Sequence, residues 1–245
     1  MEPSVTTREF EGKICFIAGG ASGIGLATAH ALASRGAVVA VGDIQDIDEL
    51  PSLLMDVTNP EEIRDAVAGI LELHGRLDIA VNCAGISGTR AITAEYPLDI
   101  WNQVLAVNLT GVFTCMQEEL KAMVPKRSGV IVNIASVAGV TAFPRHSAYT
   151  ASKHGIVGLT KAAAVEYAPL GIRINAICPA YTRTPLMEGM LVQREGLEER
   201  LLGRIPVGRF ATACEIAESI VYLCSDAAGF MTGQCLVLDG GITAE

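Results

Sequence analysis

Two side chains four positions apart, Tyr149 and Lys153, carry the most promising chemistry in this chain of 245 residues. The pattern from Ser147 to Ala168 predicts one long helix, on which positions i and i+4 share a face. An ammonium beside a phenol favours the phenolate and lowers its pKa from a reference of about 10. Such a phenol becomes a general acid/base near neutral pH. Isolated pairs of this kind are common on solvated faces, so the partners decide. Ser136 follows an apolar stretch, Gly129 to Ile134, that reads as a central parallel strand. It therefore falls at the carboxyl edge of the sheet, where α/β folds bind ligands. Asn108 stands where the helical pattern from Pro97 to Val124 is expected to break, and a break can free a backbone carbonyl to hold a water.

A second constellation precedes these residues. A strand over Lys13 to Ala18 runs into Gly19-Gly20-Ala21-Ser22-Gly23-Ile24-Gly25 and then into a helix to about Arg35. Glycines let such a turn adopt positive φ and let the backbone approach a pyrophosphate closely. The helix N-terminus then directs free N–H groups and its dipole at the anion. The spacing is G-x-x-x-G-x-G rather than the commoner G-x-G-x-x-G. Asp43 closes the second strand, where a carboxylate accepts hydrogen bonds from adenosine ribose hydroxyls. It would face a 2′-phosphate with like charge, a clash on the order of several kcal/mol. Ile44, Gln45, Asp46, Asp48 and Glu49 offer no cation, and Ser22 occupies a place where an arginine could have met that phosphate. The reading is NAD rather than NADP.

These groups need a frame, and the alternation of helical and strand patterns supplies one. Val38 to Val41 is the second strand. Ile44 to Leu54 holds at most two helical turns, and Met55 and Asp56 close a third strand. Asn59 caps a helix that has Pro60 at its first position and runs to His74. Leu77 to Asn82, Gly129 to Ile134, Arg173 to Ile177 and Cys235 to Leu238 complete the strands, and Cys214 to Cys224 a last helix. Pro179 to Arg204 is irregular or partly helical. The expected fold is α/β: a single-domain Rossmann fold with a doubly wound, parallel, seven-stranded sheet and helices on both faces. One domain spans 1–245, with a tail at 1–10 and a substrate lid at 180–210.

Composition agrees and excludes much else. Half the residues are hydrophobic but only 5% aromatic, so Ala, Val, Ile and Leu must fill the core. A net charge of −9 argues against nucleic acid and against an anionic membrane surface. Ile14 to Ser34 is free of formal charge, but its glycines break the apolar run and exclude a membrane span. The stretch from Met1 to Lys13 is acidic and lacks the apolar segment of a secretory signal. Seven scattered cysteines form no C-x-x-C pair and no Cys/His cluster, so neither a metal site nor a disulfide framework is indicated. Free thiols imply a reducing compartment, the cytoplasm.

Taken together, the sequence resembles the short-chain dehydrogenase/reductase family in its compact NAD(P)-dependent branch. The matching stretches are Gly19 to Gly25, Asp56-Val57, Asn82-Cys83-Ala84-Gly85, Asn108, Ser136, Tyr149-x-x-x-Lys153 and Cys178-Pro179 with Thr184, ending at Asp239-Gly240-Gly241. The resemblance implies a catalytic set of Asn108, Ser136, Tyr149 and Lys153. Tyr149 would exchange the proton with the substrate oxygen, and Ser136 would hold that oxygen. Lys153 would bind the nicotinamide ribose and lower the Tyr149 pKa, and Asn108 would anchor a water relay. The implied cofactor contacts are Gly19, Ser22, Gly23, Ile24, Gly25, Asp43, Asp56, Val57, Asn82, Ala84 and Gly85 on the adenosine side. Tyr149, Lys153, Ile177, Pro179, Thr182 and Thr184 are implied on the nicotinamide side. A homotetramer, or a homodimer, is also implied. Three departures from the family pattern stand out: Ala18 for a threonine, Cys83 for a second asparagine, and Ala180 for a glycine.

Ser136, Phe143, His146, Tyr181 and Met187 are the substrate candidates, with Leu186, Met190 and Leu191 nearby. This mostly apolar, adaptable set predicts a medium-sized secondary alcohol or ketone, cyclic ones included. Arg90, Arg145 and Arg183 could meet a carboxylate, but exposed arginines are more often just solvated. His30, His74, His154 and Trp101 read as surface or packing residues. The leading expectation is an NAD-dependent alcohol dehydrogenase. Its alternatives are an NADP-dependent carbonyl or 3-oxoacyl reductase and a catalytically silent NAD-binding scaffold.

Overall fold

The structure, a computed structural model, describes residues 8–192 and 194–244. From the N-terminus the elements are β1 (Ile14–Ala18), α1 (Gly23–Ala33), β2 (Val38–Asp43), β3 (Ser52–Leu54), α2 (Pro60–His74) and β4 (Ile79–Asn82). Then follow α3 (Leu98–Leu105), a π-helical turn (Ala106–Gly111), α4 (Val112–Met123), β5 (Gly129–Ile134), α5 (Ser147–Tyr167) and β6 (Ile172–Pro179). The chain ends with β7 (Thr182–Arg183), α6 (Pro185–Val192), α7 (Leu197–Leu202), β8 (Ala211–Thr212), α8 (Ala213–Cys224) and β9 (Cys235–Leu238).

Seven strands form one parallel sheet in the order β3-β2-β1-β4-β5-β6-β9, while β7 and β8 pair separately. The order reverses between β1 and β4, so the chain leaves these adjacent strands toward opposite faces and opens a crevice beyond their carboxyl ends. The central strands are apolar because both faces are covered: every residue of β1 and β4 is buried. One core lies between the sheet and α2, α4 and α5, built on Phe16, Met116, Ile131 and Ile156. The other packs α1 and α8 on the opposite face around Ile17, Leu32, Val81 and Ile220.

As read from the residue types, Asn59 accepts a hydrogen bond from Glu61 N, Pro60 opens α2 and the helix runs to His74; Gly75, at φ +70°, ends it. One local expectation fails, and another holds at its lower limit of no helical turn. The third strand is Ser52–Leu54 rather than one closed by Met55 and Asp56, and the described Ile44–Leu54 contains no helical turn. Val41 N donates to Pro51 O at 2.9 Å, so pairing with the edge of β2 begins earlier than the residue types indicate. Of the expected tail at 1–10, residues 1–7 lie outside the described residues. Phe10 is packed into the α1 core, 2% exposed, with its N–H on Arg35 O at 3.0 Å. The uncharged Ile14 to Ser34 stretch resolves into β1, the glycine turn and α1. Among the described residues, no helix is long and apolar enough to cross a membrane.

Candidate active site

The crevice is a cleft of about 630 Å³ that gathers residues from both constellations. The glycine turn forms one wall. Gly19 has φ +79°, and a Cβ there would lie 2.3 Å from Ala84 N, so only glycine lets the loops after β1 and β4 come this close. Where a threonine side chain is missing at Ala18, backbone ties hold the turn instead. Ala18 O accepts from Cys83 N at 2.7 Å and from Ala84 N at 3.1 Å, and Gly19 N donates to Gly42 O at 2.7 Å. Ser22 precedes α1 in extended conformation and spends no side-chain hydrogen bond on capping.

Asp43 sits at the rim of this wall. Its Oδ2 accepts from Ala21 N at 3.0 Å and its Oδ1 from Gln45 N at 3.1 Å, which fixes the carboxylate at the cleft. Asp56 Oδ1 accepts from the Thr58 N–H and hydroxyl, both at 2.8 Å, and Asp56 and Val57 line the same end.

At the other end, Tyr149 and Lys153 project from one face of α5 into the cleft, with Lys153 Nζ 5.7 Å from the Tyr149 ring centroid. Lys153 is buried and donates to Ile134 O at 2.7 Å. Burial depresses its ammonium to about 8, against a smaller opposing pull from Cys83 and Cys178. Burial pushes the Tyr149 phenol above its ordinary value, and the Ser136 hydroxyl pulls it back. This corrects the expectation that Lys153 lowers the phenol here: desolvation dominates, and it also weakens the lysine's own hold on its proton. Ser136 Oγ accepts from Ala138 N at 3.1 Å and donates to Pro179 O at 3.4 Å, which seats the hydroxyl at the carboxyl end of β5.

Asn108 is fully buried and lies in the π turn, the break the sequence pattern anticipates. Its side chain does not reach the cleft. Oδ1 accepts from Ile86 N and Nδ2 donates to Ile86 O, each at 2.8 Å, so it clamps the loop that carries Gly85 and Ile86. Asn82 also departs from expectation. It does not line the cleft but turns under the sheet, donating to Glu119 Oε2 at 3.1 Å and to Asn133 Oδ1 at 3.0 Å.

Ile177 does not reach the cleft either, because its side chain is buried in the core beneath α1 and α8. The remaining proposed contacts converge on the cleft: Ser22, Gly23, Ile24, Gly25, Ala84, Gly85, Pro179, Thr182 and Thr184, with Phe143, His146, Tyr181 and Met187. His146 stands 4.5 Å, centroid to centroid, from Phe143, and burial lowers its pKa. It follows Arg145, a non-glycine residue at φ +67°, and this strained position turns the chain into α5. Arg183 is engaged with Glu188 at 2.8 Å and with Glu198, and it stacks on Phe210, so it is not free for a substrate carboxylate. Residue-by-residue reading missed Gln103 and Val107, which reach the cleft from successive turns of α3 and the π segment. Their i, i+4 spacing just ahead of Asn108 was the available signal.

The residues fit a dinucleotide. The glycine wall presents backbone N–H groups at a helix start, and Asp43 offers a fixed acceptor. Gly85 leaves open the space toward Lys153, whose Nζ would be 3.7 Å from a Cβ built there.

Comparison with known proteins bears on the family and the fold. A family model described as enoyl-(acyl carrier protein) reductase matches residues 19–243. A 2,5-dichloro-2,5-cyclohexadiene-1,4-diol dehydrogenase of Sphingobium indicum is 40% identical over 96% of this chain and 99% of that protein. The 3-oxoacyl-[acyl-carrier-protein] reductase FabG of Thermotoga maritima is 38% identical over 95% and 98%. The crystal structure of levodione reductase superposes with a TM-score of 0.90 at 35% identity, covering 96% of this chain and 99% of that one.

Proposed function

The chain belongs to the short-chain dehydrogenase/reductase family and is an oxidoreductase, and on that premise we propose that it oxidises a largely apolar, ring-bearing secondary alcohol with NAD. The observation that carries this reading is the convergence of Tyr149, Lys153 and Ser136 on the cleft whose far end holds the glycine turn and Asp43. Ser22, Gly23 and Ile24 would receive the pyrophosphate at the start of α1, and Asp43 the adenosine ribose. Asp56 would meet the adenine, while Thr182 and Thr184 would hold the nicotinamide end.

Held by Thr182 and Thr184, a nicotinamide would supply the hydride acceptor for the carbinol carbon and, in its oxidised form, positive charge toward the phenol. The chain handles the proton. Ser136 holds the substrate hydroxyl against Tyr149, and the Tyr149 oxygen accepts its proton as the carbonyl forms. Lys153, together with the positive charge of an oxidised nicotinamide, would offset the desolvation of the phenol and pass the proton on, with the π turn at Asn108 holding the relay water. Phe143, Tyr181 and Met187 with Met190 exclude water around the ring of the substrate. The Sphingobium relative is named for a ring diol and its dehydrogenation, which supports this substrate class. The lid at 180–210 and assembly into a homotetramer or homodimer belong to the same reading. Exposed Phe113, Val165 and Phe230 offer apolar surface for assembly. The unpaired thiols favour a cytoplasmic setting.

A second reading, reduction of a 3-oxoacyl thioester with NADP, rests on the Thermotoga relative. NADH fluorescence on a panel of cyclic and acyclic secondary alcohols, with NAD and NADP in parallel, separates the two. Turnover of ring alcohols with NAD is expected. Activity confined to NADPH and 3-oxoacyl thioesters would replace the first reading by the second.

A further inference from the structure

The buried stripe of α4 (Cys115, Met116, Leu120 and Met123) contains one acid, Glu119, with no exposure to solvent. Asn82 Nδ2 donates to Glu119 Oε2 and to Asn133 Oδ1, and Asn133 Nδ2 donates onward to Thr160 Oγ1 at 3.0 Å. Among the described residues, two atoms of this buried chain have no partner, Glu119 Oε1 and Asn82 Oδ1. Both are acceptors if Glu119 is an anion, so neither can satisfy the other, and each buried orphan costs about 1–3 kcal/mol. One proton on Oε1 cures both defects. The acid then donates to Asn82 Oδ1 while Asn82 Nδ2 keeps its bond to Oε2, closing a two-bond ring between acid and amide.

Among the described residues, no cation is paired with the carboxyl. The strands present Asn82 and Asn133, and α5 presents Thr160, while Lys153 is turned to Ile134 O. The buried face of α2, which packs on α4, offers Ile63, Ala66, Val67 and Ile70. The other titratable neighbour is the Cys115 thiol, one turn away on α4, itself pushed up by burial.

We propose that Glu119 is a positioning residue carried as the neutral acid, and that its ring with Asn82 sets the end of β4 from which Cys83, Ala84 and Gly85 run into the cleft. Burial pushes the Glu119 carboxyl up to about 8 despite the opposing Asn82 hydrogen bond, in keeping with that form at neutral pH. The consequence for cofactor binding rests on the nicotinamide reading above, whereas the protonation does not.

Glu119→Gln preserves the ring, since its amide nitrogen donates to Asn82 Oδ1 and its oxygen accepts from Asn82 Nδ2. Infrared spectra of the unaltered protein at pH 7 are expected to show a protonated carboxyl band that shifts in D2O and is absent from Glu119→Gln. Between the ordinary 4.5 and about 8 the unfolded chain releases a proton that the folded chain retains. The urea-unfolding constant of the unaltered protein should therefore rise, relative to Glu119→Gln, by about tenfold per pH unit across that window and then level off. NADH affinity should fall above pH 8 more steeply in the unaltered protein than in the variant. A missing band with parallel unfolding profiles overturns the neutral acid. The expected band with NADH affinities that track each other at every pH overturns the positioning role. NADH failing to bind either protein refutes the nicotinamide reading and leaves the acid–amide ring standing on the band and the unfolding profiles.

Discussion

Asp43 Oδ2 accepts a hydrogen bond from Ala21 N at 3.0 Å, which ties the end of β2 to the glycine turn. A second bond, from Gln45 N to Oδ1, leaves the carboxylate little freedom to turn away from a ligand in the cleft. On the proposed reading, a ribose diol there would gain a preorganised acceptor, and a 2′-phosphate would meet a fixed negative charge.

Asp43→Ala is therefore expected to raise the KM for NAD by about ten- to a hundredfold, as loss of a charge-assisted hydrogen bond worth about 1.5–3 kcal/mol requires, with a smaller effect on kcat. The ratio of NAD to NADP preference should narrow because the repulsive element is gone. Steady-state kinetics with both cofactors would check this, and an unchanged ratio would remove Asp43 from the specificity argument.

Tyr149→Phe keeps the ring and deletes the group that exchanges the proton. A fall in kcat of about 10²–10⁴ is expected, the usual contribution of a positioned acid/base. NADH affinity, measured by fluorescence, should stay within about twofold. Wild-type turnover in the variant would displace the proton transfer to another group.

Lys153 titrates at about 8 in the folded chain against an ordinary 10.5. Between those values the unfolded chain holds a proton that the folded chain has shed, so this lysine's contribution to stability rises with pH across that window. At pH 7 its full desolvation burden is present. Lys153→Met should thus be more stable at pH 7 by about 2 kcal/mol, after allowing for the lost bond to Ile134 O, and should lose turnover. Thermal melts from pH 7 to 10.5 test this: the gain should shrink steadily as the pH rises.

Gly19→Ala places a methyl group 2.3 Å from Ala84 N at a φ of +79°, so both loops must shift. A loss of at least about 2 kcal/mol and of NADH binding is expected. Gly158→Ala is the contrasting control. A Cβ there meets nothing within 4 Å on a helix, and a gain of about 0.5–1 kcal/mol should follow. Urea titrations of the two variants report the difference directly.

Local patterns made much of the site legible. The glycine turn between a strand and a helix, the Tyr149/Lys153 spacing, the break at Asn108 and the capped start of α2 are each set by neighbours within a few residues. Asn82 and Glu119 depend on contacts between distant elements. In sequence, Glu119 sits among Gln117, Glu118 and Lys121 and looks like part of a solvated face. The i, i+3, i+4 series Cys115, Met116, Glu119, Leu120 and Met123 puts it on the buried stripe instead, and a polar residue inside such a series was the signal to follow. Asn82 was assigned to the cofactor by its place in a motif, yet its side chain leaves β4 toward α4 and the crevice is lined by the residues that follow it. The register of β3 was equally out of reach, because Ser52–Leu54 is strand only by virtue of its pairing with β2.

The short β7–β8 pair has a further implication. It joins Thr182 to Ala211 and Arg183 to Thr212, so α6 and α7 hang between two stapled posts outside the main sheet. The staple makes the intervening stretch an exchangeable cassette. Grafting the corresponding stretch from a relative with other tastes would redirect which molecules enter, while the machinery beneath keeps its shape.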